Sequence, residues 1–185
     1  MKIAVTGTPG TGKTTAVDLV ETDLEVVHLN DVIREEGLYD EVDEERDSLV
    51  ADLDAVREWF EGRECVLVES HLAHHLPAEK VVVLRCHPEE LERRLGERGE
   101  PEAKARENTG ATKSPRALVR YAHENAESEA LDVILSEAVA EHGLDAVYEI
   151  DTTDTDSEAV ASAIEAVIAG EQAPSAGNVS FHEYL

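Results

Sequence analysis

The chain has 185 residues, 42% of them hydrophobic and 31% charged, which suits one globular domain with a sizeable core and is short for two. Its net charge of −26, from 16 Lys and Arg against 42 Asp and Glu, argues against a general nucleic-acid binder, which needs a basic footprint to displace counterions from phosphates. No apolar run reaches the ~18 residues of a membrane span, and the opening MKIAVTGTPG reads as a buried strand, not a signal peptide.

A cytoplasmic protein is therefore expected. The acidic excess is that of a salt-adapted, halophilic protein, since such self-repulsion destabilises a compact state unless salt screens it. Cys65 and Cys86, at the edges of two β-like runs, are expected as buried reduced thiols and not as a disulfide.

In chain order, residues 2–6 read as a short apolar strand that ends in glycines, and residues 13–21 as a helix with Ala16, Val17 and Val20 on one side. Leu24 to His28 is a second strand. Asn30 and Asp31 can cap a helix from Val32 to Glu36, which Gly37 stops. After an acidic stretch, a helical run passes through Leu49, Leu53, Val56, Trp59 and Phe60. The apolar runs Cys65–Val68 and Val81–Leu84 are typical of strands buried on both faces of a parallel sheet. Pro88 opens a helix at its first turn. Residues 98–114 read as a loop or flap, and a long helix follows from Ser114-Pro115 to about Glu141. Ala146–Ile150 is a last strand, residues 156–169 a last helix, and residues 171–185 an extended arm on a domain of residues 1–170. Strands alternating with helices imply an α/β fold with a parallel sheet and right-handed crossovers.

The strongest chemical signal is Gly7-Thr8-Pro9-Gly10-Thr11-Gly12-Lys13-Thr14, followed by Thr15. It satisfies G-x-x-x-x-G-K-[ST] between a strand and a helix. The glycines let backbone N–H groups wrap a phosphate at a helix N-terminus, Lys13 reaches the β- and γ-phosphates, and the Thr14 hydroxyl can hold Mg²⁺. The expected ligand is ATP with Mg²⁺.

GTPases, motor ATPases and small kinases share such a loop. The chain length suits a nucleotide kinase, and no Asn/Thr-Lys-x-Asp guanine-reading motif is present. Nine basic residues stand against seven acids between Arg85 and Arg120, which suggests a lid over polyphosphate centred on Arg98. Glu69 ends a buried strand, where P-loop proteins keep the carboxylate that orients Mg²⁺ through water. His71 can position an attacking water or hold a phosphate. A metal set of His71, His74 and His75 is disfavoured, because adjacent histidines point apart in most local structures and no cysteine assists.

GTPGTGKTT, NDVIREEGLYDEVDEERDS, VESHLAHHLP and VVVLRCHPEELERRLGERG occur in this order. Together they resemble the archaeal and eukaryotic adenylate-kinase-like NTPases that also assist late maturation of the small ribosomal subunit. The resemblance covers residues 1–108 and 126–150. It implies a P-loop nucleoside monophosphate kinase fold, with a monophosphate-binding insert at about residues 28–51 and a short lid at about 97–107. It also implies adenylate kinase and ATPase activity, and transient binding to a platform protein of the small subunit. Carried over singly, Gly10, Gly12, Lys13, Thr14 and Thr15 match the ATP loop, Arg34 falls in the acceptor insert, Arg98 at the lid, and Glu69 and His71 match an acid-x-His pair. The family usually has Asp where Glu69 stands, and an aromatic where Glu100 stands. Residues 109–125 look inserted. A kinase for another small metabolite, such as shikimate or a nucleoside, and an ATP-switched assembly factor are the rival readings.

Overall fold

The computed structural model describes residues 1–43, 48–107 and 115–185, with side chains at 1–42, 49–98 and 119–185. Five strands form one sheet: β1 (Lys2–Thr6), β2 (Glu25–His28), β5 (Val66–Glu69), β6 (Lys80–Arg85) and β7 (Val147–Asp151). Their spatial order is β2-β5-β1-β6-β7, and all neighbours run parallel. β3 (Tyr39–Asp43) and β4 (Ser48–Ala51) form a separate antiparallel pair.

The period-two alternation of the strands builds two cores, one on each face. Ala4, Val66, Val68, Val81, Val83 and Val147 pack with residues of α2 (Leu29–Glu36), α3 (Leu53–Glu61) and α6 (Val133–His142). Ile3, Val5, Leu67, Val82, Leu84 and Tyr148 face the other way, onto α1 (Lys13–Val17) and α7 (Ser157–Ala169). The predicted parallel α/β sheet is thus present, with helices on both faces.

Several boundaries differ from the sequence reading. The helix after the glycine loop stops at Val17, not at residue 21. α2 begins at Leu29, so Asn30 and Asp31 lie inside it rather than capping it, while Gly37 does end it with φ 69°. Leu49 belongs to β4 and not to a helix. α3 starts only where the Asp52 carboxylate accepts the amides of Asp54 and Ala55.

α4 (Pro88–Glu107) is continuous through the region read as a loop from residue 98. The long helix predicted over 114–141 is two, α5 (Pro115–Ala130) and α6, broken at Asp132. That residue is left-handed at φ 54°, and its carboxylate is held by Arg85 and His182. The apparent insertion contributes the first part of α5, which packs on α4; its residues 109–114 lie outside the described residues. Cys86 is buried as expected, but Cys65 is exposed; both are free thiols. Among the described residues, no helix is long and apolar enough to cross a membrane.

Candidate functional site

The glycine loop leaves the carboxyl edge of β1, the centre of the sheet, where open α/β sheets bind ligands. Its path requires left-handed backbone at Gly10 (φ 96°) and Gly12 (φ 90°), which glycine adopts without steric cost. A Cβ on Gly10 would press on Leu91 and Leu95 of α4, whereas one on Gly12 would meet open space. The cradle is therefore fixed on its α4 side and open on the other.

Strand register places the carboxylate. Glu69 lies abreast of Val5 in β1 and of His28 in β2, so it emerges beside the loop. Its Oε1 accepts the Thr14 hydroxyl at 3.0 Å and lies 3.2 Å from His28 Nδ1. A hydroxyl and a buried carboxylate supply hard oxygen donors, the chemistry that suits Mg²⁺. Thr14 and Thr15 are both exposed.

Lys13 is buried, and its Nζ donates to the carbonyls of Gly7 at 2.8 Å and Thr8 at 3.0 Å. Burial lowers its pKa to about 8, against the opposing pull of the Glu69 and Glu129 carboxylates. The ammonium is thus held against the loop by neutral acceptors. His71 is half-buried, and burial followed by the Lys13 charge lowers its pKa to about 4. It is a neutral imidazole near pH 7, suited to orienting a water and unsuited to neutralising phosphate.

Gly10, Gly12, Arg94, Glu97, Arg98 and Ser157 line an open cleft of about 420 Å³, so the structure brings Arg98 to the loop. Arg94 donates to the carbonyls of Thr152 and Thr153, and Arg93 bridges Glu90 and Glu97. Part of the basic segment is therefore structural. Arg34 is not brought in: it pairs with Asp31 at 3.2 Å on its own helix and is 67% exposed.

The sequence reading missed two contributors. One is His28, set by β2 register against Glu69 and 3.2 Å from Asp18. The other is Glu129 on α5, 3% exposed, whose Oε2 accepts the Thr8 hydroxyl at 2.5 Å. Glu129 Oε1 accepts Arg85 Nε at 2.6 Å and the Cys86 amide at 3.2 Å. Arg85, read as part of a lid, is instead a core residue 1% exposed. Burial works against its charge, but the Glu129 and Asp132 carboxylates raise its pKa overall. It also donates to Glu149 at 2.6 Å. Glu149 Oε2 in turn accepts the Asn178 and Val179 amides. The arm is thus docked, with Phe181 buried over Arg85. An isolated Arg in an apolar strand, Val-Val-Val-Leu-Arg, was the available signal.

A family profile described as an AAA domain matches residues 3–132. The chain belongs to the AAA domain family. Within it, this AAA-domain chain is 60% identical over its whole length to a protein of Natronomonas pharaonis, also covered completely. It is 55% identical to one of Halobacterium salinarum, with both chains fully covered. A third, from Methanosarcina acetivorans, is 41% identical over 91% of this chain and 86% of its own. Each of the three carries the description "Putative adenylate kinase". Among solved structures, a sulfotransferase from Alicyclobacillus acidocaldarius superposes with a TM-score of 0.53 at 14% identity. It covers 95% of this chain and 84% of its own, a likeness of fold alone.

Proposed function

We propose that this protein is a nucleoside monophosphate kinase that catalyses ATP + AMP ⇌ 2 ADP and hydrolyses ATP slowly when water replaces the acceptor. The observation that carries the reading is the convergence of Lys13, Thr14 and Glu69 at the carboxyl edge of β1 and β5, with Arg98 across the cleft. The relatives' descriptions support the same reaction. In phosphoryl transfer the protein's work is positioning and neutralisation of charge. Lys13 exchanges the Gly7 and Thr8 carbonyls for β- and γ-phosphate oxygens. Arg98 offsets charge on the transferring group, and Arg34, in the insert of residues 28–51, grips the acceptor phosphate. Neutral His71 orients the water in the hydrolytic branch. Thr14 directly, and Glu69 through water, would hold Mg²⁺, which neutralises phosphate charge when bound.

The sequence resemblance supports a second role in small-subunit maturation, through a platform ribosomal protein. A net charge of −26 favours rapid encounter with a basic partner and disfavours strong direct binding to RNA. ADP formation from ATP with each nucleoside monophosphate, and with none, tests the enzymatic reading. AMP-dependent ADP formation well above the rate with ATP alone is expected. Hydrolysis that no monophosphate stimulates would refute the kinase assignment and leave an ATPase.

A further inference from the structure

The histidines that follow β5 have a use outside the nucleotide site. Ala73–His75 form a 3-10 turn that packs on α6. The turn defeats the expectation that adjacent histidines diverge: the rings of His74 and His75 stand with centroids 4.0 Å apart. Both face α6, where Glu137 and Glu141 are one helical turn apart and therefore on one side. His74 Nε2 lies 3.0 Å from Glu137 Oε2, and His75 Nδ1 lies 2.9 Å from Glu141 Oε1. One ligand atom each from His74, His75 and Glu137 lies within 4.8 Å of the others.

We propose that His74, His75 and Glu137, with Glu141 as the neighbouring fourth donor, form a binding site for a divalent transition-metal ion, Zn²⁺ foremost. Two imidazoles and two carboxylates are donors that Zn²⁺ accepts in a tetrahedral set. Its ~2.0–2.2 Å bonds to N and O require the donors to draw together by roughly an ångström. Glu137 is 48% exposed and His75 19%, so two of the donors can make that movement without opening the core.

The surroundings supply what a metal-bound histidine needs. A ligating imidazole donates through its other nitrogen, which fixes its tautomer. His74 Nδ1 lies 3.0 Å from Thr6 Oγ1, and that same oxygen is 3.3 Å from the His71 carbonyl. With the proton on Nε2, His74 donates to Glu137 and accepts the Thr6 hydroxyl at Nδ1. With the proton on Nδ1, it donates to Thr6, whose hydroxyl turns to the His71 carbonyl, and Nε2 is left bare for the metal. Thr6 satisfies both states, so binding needs a shift of tautomer and no net loss of a proton from His74. The backbone is held as well, since His142 Nε2 lies 2.6 Å from the His74 carbonyl and Arg57 Nε donates to that of His75 at 2.9 Å. An open cleft of about 810 Å³ that touches His75, Glu141 and His142 gives the ion a path in. Occupied, the site would clip the segment carrying His71 to α6.

The test is a Zn²⁺ titration of the full chain after chelation and desalting, against a chromophoric competitor. Molar KCl and excess Mg²⁺ suppress diffuse binding to the acidic surface. No nucleotide is present, so the result is independent of the kinase reading. One Zn²⁺ per chain is expected, with at least tenfold weaker binding in both His75→Ala and Glu137→Gln. His123→Ala, at a separate histidine–carboxylate cluster with Glu92 and Glu127, should leave the affinity unchanged. Both test substitutions are on accessible side chains, and circular dichroism checks their fold. Cobalt substitution adds a second readout, the visible absorption of a tetrahedral ion, which the same two variants should abolish. Absence of stoichiometric binding to the unmodified protein, or undiminished affinity in both variants, overturns the site.

Discussion

Around the glycine loop, side chains from three segments far apart in the chain converge: Lys13 is tied to two carbonyls, Thr14 to Glu69 and Thr8 to Glu129. In the segment assigned to the acceptor, α2 and the β3–β4 hairpin, Arg34 meets a neighbour on its own helix, and Val42 and Val50 are exposed. On the proposed reading, the contrast is between a donor pocket whose geometry is set before any ligand arrives and an acceptor wall that the substrate itself must help assemble. A pre-set pocket loses much when one member is removed, because its partners stay buried and uncompensated. An exposed wall loses only the contact in question.

The sharpest break in this comparison is Arg85→Met, which leaves Glu129, Asp132 and Glu149 without their cation. It should cost about 3–5 kcal/mol of stability, read from denaturant unfolding in molar KCl, whereas Arg34→Ala should leave the midpoint in place. A smaller loss would mean that the buried network relaxes more freely than its geometry implies. Next, Lys13→Ala should lower ADP formation with and without AMP by about 10²–10³-fold, since the charge it removes serves both reactions. Arg34→Ala should raise the KM for AMP by roughly tenfold, as expected for one charge-assisted contact, with basal hydrolysis unaltered. Equal loss of both activities in folded Arg34→Ala would move residues 28–51 out of the acceptor site.

The mildest effect concerns pH. Lys13 has a pKa lowered to about 8, so the free protein loses this charge as pH rises through 8. Binding the phosphates then requires uptake of a proton. Affinity for a fluorescent ATP analogue should be flat from pH 6.5 to 7.5 and fall towards tenfold per unit above 8. The unfolded chain keeps its lysine proton to about 10.5, so this group's penalty on folding is full below pH 8 and fades as pH rises to 10.5. Affinity that stays flat to pH 9.5 would show that Lys13 is less desolvated than its position implies.

Much of the donor side was legible in the chain because it is written in contiguous residues. The loop motif carries its own chemistry, and the run Val66-Leu67-Val68-Glu69 announces a buried strand with an acid at its end. The sheet followed from continuous apolar runs, which both of its faces demand. What escaped the sequence depends on partners far apart in it. The charge-rich segment from Arg85 suggested a lid, yet Arg85 is neutralised by acids at 129, 132 and 149 that no local pattern links to it. The break at Asp132 hides inside an uninterrupted helical periodicity, because the pull that makes it comes from strand β6. His74 and His75 were set aside on local geometry, and it is α6, more than sixty residues on, that gives them a common face.

The arm's docking has a consequence for how the molecule is made. Translation brings out the loop motif, at residues 7–14, long before Glu149 and the segment around Val179. Until they arrive, Arg85 lacks the Glu149 carboxylate and the cover of Phe181, and through Glu129 the same Arg85 steadies Thr8. A nascent chain therefore displays a complete nucleotide-binding motif long before the groups that buttress it exist. The loop motif is translated well before the side chains that steady it, and it reaches its finished form only once they arrive.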